Sequence, residues 1–512
     1  MKKIFFSSIL IAGLGITGCQ KNLDIPNPNT PTIQNFWQNG NDAVAGVNAV
    51  YSTLHRGAIS RYMPMFLIGR GDEAHSTSPF FELQNALDKF ILTDYNWFFT
   101  ADVYRDNYVG IFRANQVIDN VPNINMDAAL KARIVGEAKF MRGLFYFHLA
   151  TLYGNVPLLL QTSKPTDLPP TSTQAEVYAQ IEKDLTEAAA ALPTTYPAAE
   201  LGRATKGAAF GMLAKTLMQQ KKFAQALVPL NYLVEGEGRT VYSLMPNYRD
   251  NFMVTTENNR ESLFEWQFEE NTTETHDDDV RDPNQNYGSS LAQFVAPKPV
   301  GFQDIEGRRW ILAEFHQDKT TTGERDPRLA ASFLYDSTDV RGPQFTRLYG
   351  QVWNNVGGLN KQGVFFRKFL NDHWKDNEGF RSKNNWRYLR YADILLMYAE
   401  ALNEEGRTTD AYQYVDRVRE RAGLAKLSAT RPGLTKDQFR EQIKHERITE
   451  MSGEGWRWHD LVRWGELATN APSKLVARDA SFANFQSPRD LFLPIPQIDI
   501  DINPNLKQNT GF

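Results

Sequence analysis

The side chains best suited to chemistry lie at the start of the chain and in scattered aromatic stretches. Ile16-Thr17-Gly18-Cys19 closes a short apolar run, Ile4 to Leu14, that follows Lys2 and Lys3. A branched residue and two small ones before a cysteine form the pattern of a bacterial lipobox. The small side chains let the backbone enter a peptidase cleft, and the Cys19 sulfur is the soft nucleophile to which a diacylglyceryl group can be attached. Cys19 is the lipidation candidate, and membrane lipid is therefore an expected contact. Several acyl chains on one cysteine anchor a protein stably, since each buried CH₂ contributes about 0.8 kcal/mol.

The second feature is Asp94-Tyr95-Asn96-Trp97-Phe98-Phe99, with four aromatic rings in six residues. Sugars have apolar C–H faces and hydroxyl rims, so flat rings beside amides and charges suit them. Trp310 follows Arg308-Arg309, Trp353 precedes Asn354-Asn355, and Trp374 lies in the same loop-rich region. Tyr95, Asn96, Trp97, Trp310 and Trp353 are accordingly candidate ligand-binding residues.

Other chemistries lack their residues. Cys19 is the only cysteine, so no second thiol can act as nucleophile, metal ligand or disulfide partner. His445-Glu446 has no second histidine one turn on, so the zinc-protease motif is missing. Arg447 there reads as pairing its neighbours on a solvated helix face. Asp460 and Arg463 read as an i, i+3 ion pair. No Gly-x-Ser-x-Gly elbow and no phosphate-binding glycine loop is present. Asp277-Asp278-Asp279 could collect a calcium ion but lacks the spacing of a calcium loop, and reads as a solvated charge run. No catalytic residue, metal ligand or cofactor is nominated. A net charge of −4 leaves no basic excess for nucleic acid.

The elements that must position these residues are mostly helical. Residues 1–18 form the export signal. Residues 19–40 form a tether with Pro26, Pro28 and Pro31. Residues 41–245 carry helical periodicity. Thr173-Gln174-Ala175-Glu176 predicts a capping box, followed by a buried stripe of Val177, Ile181, Leu185 and Ala188. Thr205 predicts another cap, and the Gln219–Lys222 turn leads to a partner helix. In 386–470, Tyr388, Tyr391, Leu395, Ala399 and Leu402 predict one helix face, and Ala411, Val415 and Val418 the next. Such short-linked pairs predict a mainly α fold, a solenoid of degenerate tetratricopeptide-like repeats. Residues 246–385 lose the helical period, are rich in Gly and Pro, and hold short candidate strands such as Ser262 to Phe268. That much loop in one chain points to function. Residues 471–512 form a closing segment.

At this level the chain resembles the SusD/RagB family of Bacteroidetes outer-membrane lipoproteins. The resemblance rests on Arg390-Tyr391-Ala392-Asp393-Ile394-Leu395-Leu396-Met397-Tyr398-Ala399-Glu400-Ala401-Leu402-Asn403, on Val418 to Gly423, on Glu446-Arg447, on Glu454 to Gly465, and on Leu493-Pro494-Ile495-Pro496. It implies four tetratricopeptide-like helix pairs carrying an irregular ligand-binding region. It implies a non-enzymatic lipoprotein of the outer membrane, facing the exterior, that captures an oligosaccharide or polysaccharide and hands it to a SusC-like TonB-dependent β-barrel transporter. Some members bind peptides, which is the alternative ligand; a secreted glycoside hydrolase is the alternative from another class. By position, the resemblance carries ligand roles onto Asp72, Asn96 and Trp97. The chain departs from surface-exported members in having one acid, Asp24, just after Cys19.

Overall fold

Helix starts in this chain are set by side chains that satisfy the orphan amides of a first turn. Thr173 accepts from the Glu176 amide at 3.3 Å while Glu176 accepts from the Thr173 amide at 2.8 Å. This is the expected reciprocal box. Asn39 with Asp42 and Thr435 with Gln438 repeat it. Thr205 caps alone, through the Ala208 amide at 3.1 Å.

The computed structural model describes residues 36–270, 287–336, 347–470 and 473–512. Cys19 and Asp277 to Asp279 lie outside these residues. The helices used below are α1 (Gly40–Tyr51), α2 (Phe98–Asn120), α3 (Ala128–Tyr153), α4 (Gln174–Ala191), α5 (Lys206–Gln219), α6 (Phe223–Val234), α7 (Trp310–Phe315), α8 (Tyr391–Glu404), α9 (Thr408–Arg421), α10 (Lys436–Met451), α11 (Arg457–Arg463) and α12 (Gln497–Ile502). Consecutive helices pack on one another from α2 through α6. Then α6 packs on α8, and α8 on both α9 and α10. Neither helix of a pair can bury its apolar stripe alone, so stacking is what makes the core. The fold is mainly α, as the periodicity predicts. Among the described residues no helix is long and apolar enough to cross a membrane.

Short antiparallel strand pairs tie the stretch between α6 and α8 to itself and to the segment before α2. β1 (Ala74–Ser76) pairs with β3 (Ile305–Gly307), β2 (Ser262–Trp266) with β6 (Trp386–Arg390), and β4 (Phe333–Tyr335) with β5 (Val364–Phe366). Tyr388 therefore lies in a strand and not on the face of α8. Its hydroxyl reaches His148 at 2.7 Å, and the Leu389 and Arg390 positions are irregular in register.

Buried charge fastens this irregular part to the helices. Arg390 reaches Glu261 at 2.6 Å, Glu450 at 3.1 Å and Glu454 at 2.7 Å, all fully enclosed. Arg328 and Arg421 also meet Glu450, at 3.2 and 2.5 Å, and Lys368 meets Glu454 at 2.6 Å. Arg447, expected on a solvated face, is instead buried. It donates to Asp393 at 2.8 Å and to Asp460 at 2.7 Å, because α10 is covered on that side by α8 and α11. Asp460 and Arg463 form the expected i, i+3 pair at 2.9 Å.

A further clamp joins α10 to α7. The two ring nitrogens of His445 lie 2.8 Å from Glu314 and 3.0 Å from Asp318. Burial alone would lower the imidazole, but Asp318 and Glu314 outweigh it and hold His445 up at about 9, against 6.5 unperturbed. A raised folded-state value contributes stability that is complete below about pH 6.5 and is lost as pH rises through about 9. The shift corresponds to about 3 kcal/mol. Chemical denaturation from pH 6 to 9.5 should therefore show the gap between wild type and His445→Gln narrowing by about that amount; a gap independent of pH would contradict the clamp.

Candidate functional site

The aromatic run 94–99 splits because a helix starts inside it. Trp97 is the residue before α2, with extended ψ, and Phe98 is the first helical residue. Successive helical side chains point about 100° apart, so neighbouring rings cannot share a face. Trp97 turns inward, is 8% exposed, and stacks on Phe99 at 4.5 Å and 7°. Phe99 stacks on Tyr62 at 3.8 Å. Phe98 turns outward, is 45% exposed, and meets Tyr62 edge-on at 5.7 Å. Tyr95 is half-buried against Phe512 at 5.4 Å. Asn96 is exposed, and its side-chain oxygen accepts the Ile498 amide of α12 at 2.8 Å.

Tyr62 ends a π-helical turn, Ala58–Tyr62. The wider turn changes the phase of the side chains, and such turns recur at functional sites. It places Arg61 inward, fully buried, beside the half-buried Tyr62. The Arg61 guanidinium carbon lies 5.9 Å from the Tyr62 ring, 5.6 Å from Phe294 and 5.1 Å from Phe380. Its Nε donates to Ser290 at 3.2 Å. Phe294, Phe302 and Phe380 form a second cluster with centroids 5.7 to 6.1 Å apart, and Phe302 is 41% exposed. Arg61 thus bridges two ring clusters by cation–π contact. The result is a network of ring contacts, bridged beneath the surface by Arg61, that is exposed at Phe98 at one end and at Phe302 at the other.

The loop presenting Phe302 is held by its own backbone. Phe302 donates to Gln293 at 2.7 Å and Asp304 to Phe294 at 2.8 Å. A side chain at Gly301 would meet Ala296 Cβ at 2.6 Å and its carbonyl oxygen at 2.8 Å, so only glycine lets the chain fold back this closely. Thr77 donates its amide to Asp304 at 2.9 Å. Three residues on, Phe80 is 56% exposed.

The remaining expected residues stand apart from this surface. Asp72 is enclosed, and forms ion pairs with Arg457 at 2.6 Å and Arg478 at 2.9 Å. Burial would raise its carboxyl, but Arg457 and then Arg478 hold it below its ordinary value. The half-buried Trp310 donates to the Asp72 carbonyl at 2.6 Å, and the Arg478 guanidinium covers its ring at 3.9 Å. Trp353 is 0% exposed and packs on Phe365 at 6.0 Å. Buried faces cannot stack on a ligand, so the expectation of open platforms at Trp97 and Trp353, and of a rim carboxylate at Asp72, is corrected by their burial. Phe98, Tyr62, Phe302 and Phe380 are the exposed or half-buried rings that the sequence did not nominate. The helix phase after Trp97 was the one sequence signal for Phe98.

A metal is not suggested at the acidic cluster Asp318, His445 and Glu446. Arg419 stands between the two carboxylates, 2.9 Å from Asp318 and 2.5 Å from Glu446, and supplies the positive charge. A separate cavity of about 240 Å³ lies beside Tyr196, Arg203, Tyr242, Asn258 and Arg260.

Comparison with known proteins places this architecture. The family described as "SusD family" matches residues 234–512. The chain belongs to the SusD family. A second description, "Starch-binding associating with outer membrane", matches residues 72–218. Relatives of this SusD-family chain include SusD-like protein P25 of Formosa agariphila, 27% identical over 80% of this chain and 78% of the relative. The starch-binding protein SusD of Bacteroides thetaiotaomicron is 24% identical over 100% of this chain and 99% of its own. Among solved structures, a SusD superfamily protein from Bacteroides vulgatus aligns with a TM-score of 0.80 at 26% identity, covering 93% of this chain and all of that one. A laminarin-binding SusD-like protein aligns at 0.76 and 25%, with 93% and 100% covered. These descriptions and names are those of a starch- and glycan-binding family.

The division of roles in the run 94–99 is testable by thermal melting. Trp97→Ala opens a cavity against Phe99 and should cost about 3–5 kcal/mol. Phe98→Ala removes an exposed ring and should change stability by less than about 1 kcal/mol. Equal losses for the two variants would contradict the placement.

Proposed function

We propose that this SusD-family chain is a non-catalytic, lipid-anchored receptor at the cell surface that captures oligosaccharides. It lays them across the Phe98, Tyr62, Phe380 and Phe302 rings and delivers them to a SusC-like TonB-dependent barrel. The observation that carries this reading is the aromatic surface bridged by Arg61. Phe98 and Phe302 are exposed at its ends, the half-buried Tyr62 and Phe380 lie between them, and the rings come from both the helical region and the loop-rich stretch. A stack of Trp97, Phe99 and Tyr62 gives it a rigid foundation, so little rotamer freedom is lost on binding. Asn96 borders the Phe98 end, where its amide nitrogen can donate to a hydroxyl. Asp72, Trp310 and Trp353 act as framework. The named relatives support the ligand class: one binds starch and one laminarin by their descriptions. Cys19 supplies the anchor.

Calorimetric titration with a panel of oligosaccharides tests the reading. Losing one sugar–aromatic platform removes about 1.5–3 kcal/mol of apolar burial. Phe98→Ala and Phe302→Ala should therefore each weaken binding at least tenfold, about 1.4 kcal/mol, with melting unchanged. Full affinity in both variants would place the ligand elsewhere. The same incubations should yield no new reducing ends, and steady release of sugars would overturn the non-catalytic assignment. Affinity capture from native membranes should bring a large β-barrel with the protein, and release of the Cys19→Ser variant from those membranes should follow loss of the anchor.

A further inference from the structure

The loop that carries Phe380 also carries a pair of cations with a distinctive setting. Trp374 is half-buried and fixed, donating its indole N–H to Asn371 at 2.9 Å. Asn371 is fixed in turn: the same oxygen accepts from Ser382 at 2.8 Å, and its backbone carbonyl accepts from Lys375 at 2.8 Å. The Lys375 ammonium lies 4.6 Å from the Trp374 ring centre, and that of Lys383 lies 5.1 Å from it. Among the described residues neither ammonium has a carboxylate within ion-pair distance.

Two cations on one indole repel each other, and the acids nearby do little to offset them. Glu378 accepts from the Asn371 amide at 2.8 Å and is bonded to Tyr349. Burial pushes it up to about 7. Glu257 accepts the Asn385 amide at 2.7 Å, and burial pushes it also up to about 7. Both acids are only partly ionised at neutral pH. Glu270 adds negative charge near Lys375, while Arg381 and Lys383 add positive charge. Burial and these cations together leave Lys375 below its ordinary value. Among the described residues, then, two ammoniums share one indole and neither is paired to a carboxylate.

This cationic spot adjoins the aromatic surface. The Glu378 amide donates to Val300 at 2.9 Å, which ties the Asn371–Phe380 loop to the loop that presents Phe302. Ser382 pairs with Ser289, next to the Ser290 that holds Arg61. Trp374 and Phe380 thus belong to one loop that is tied by its backbone to the loop presenting Phe302. An anionic substituent of a ligand there would accept charge-assisted hydrogen bonds from two ammoniums that the indole holds in place.

Resting on the capture reading above, we infer that the ligand is an acidic oligosaccharide, whose carboxylate or sulfate ester seats on Lys375 and Lys383 beside Trp374. The test titrates wild type with three tetrasaccharides: a uronate, a sulfated galactan and a neutral β-glucan. At low salt at least one acidic probe should bind about tenfold more tightly than the neutral one, and that margin should shrink as salt is raised. The double variant Lys375→Gln/Lys383→Gln should lose the margin while keeping its melting behaviour and its neutral-ligand affinity. Which acidic probe wins separates carboxylate from sulfate. Neutral binding equal to or tighter than both acidic probes, or a margin that survives in the double variant, overturns the inference and leaves the capture site standing if Phe98→Ala still weakens binding. An acidic margin that depends on the lysines, with Phe98→Ala binding normally, supports the acidic ligand and overturns the aromatic site. Binding of none of the three counts against both.

Discussion

The arrangement depends most on the buried charge around Glu450. Three arginines, Arg328, Arg390 and Arg421, converge on one carboxylate. Burial would raise Glu450, but Arg421, Arg390 and Arg328 hold it well below the usual carboxylate range. Arg390 also holds Glu261 beside β2, and Arg421 holds the same glutamate at 3.0 Å. Arg328 and Lys368 come from the loop-rich half, while Glu450 and Glu454 lie at the end of α10. Ions taken out of water must be matched, and removing one partner of a buried set costs about 3–5 kcal/mol. An irregular segment with few ladder hydrogen bonds is thereby fixed to a helical scaffold at defined points. Only a fixed segment can hold Phe294 and Phe380 against Arg61.

Much of the scaffold was legible in the sequence. The capping box at Thr173, the cap at Thr205 and the stripes of α4, α8 and α9 are local properties, and local chemistry decides where such helices begin and which face they bury. Tyr388 went wrong at a boundary. Its apolar ring suits the face of α8, but pairing of β6 with β2 claims it first. Arg447 and Asp72 went wrong for a different reason. A charged side chain in sequence reads as solvated, and its burial becomes visible only when partners 13, 54, 385 and 406 residues away arrive.

The candidate site shows the same limit. The run 94–99 correctly drew attention as a cluster of rings, yet stacking chose Phe98 over Trp97 as the open face, because the start of α2 sets the phase. Phe302 and Phe380 lie more than two hundred residues from Tyr62, and no periodicity connects them. What connects them is Arg61, delivered by a π-helical turn whose extra residue is invisible to a search for helical spacing. Trp353 had a polar neighbourhood in sequence but sits under the β4 and β5 region, with Phe365 against it.

The central claim is that a ligand lies on the rings bridged by Arg61 and not in the cavity beside Tyr196 and Tyr242. A crystal structure of the protein soaked with a bound oligosaccharide tests this most directly. The account predicts sugar density stacked on Phe98 and Phe302, with Trp97 and Trp353 still buried. Density in the Tyr196–Tyr242 cavity, with Phe98 and Phe302 left bare, would contradict it.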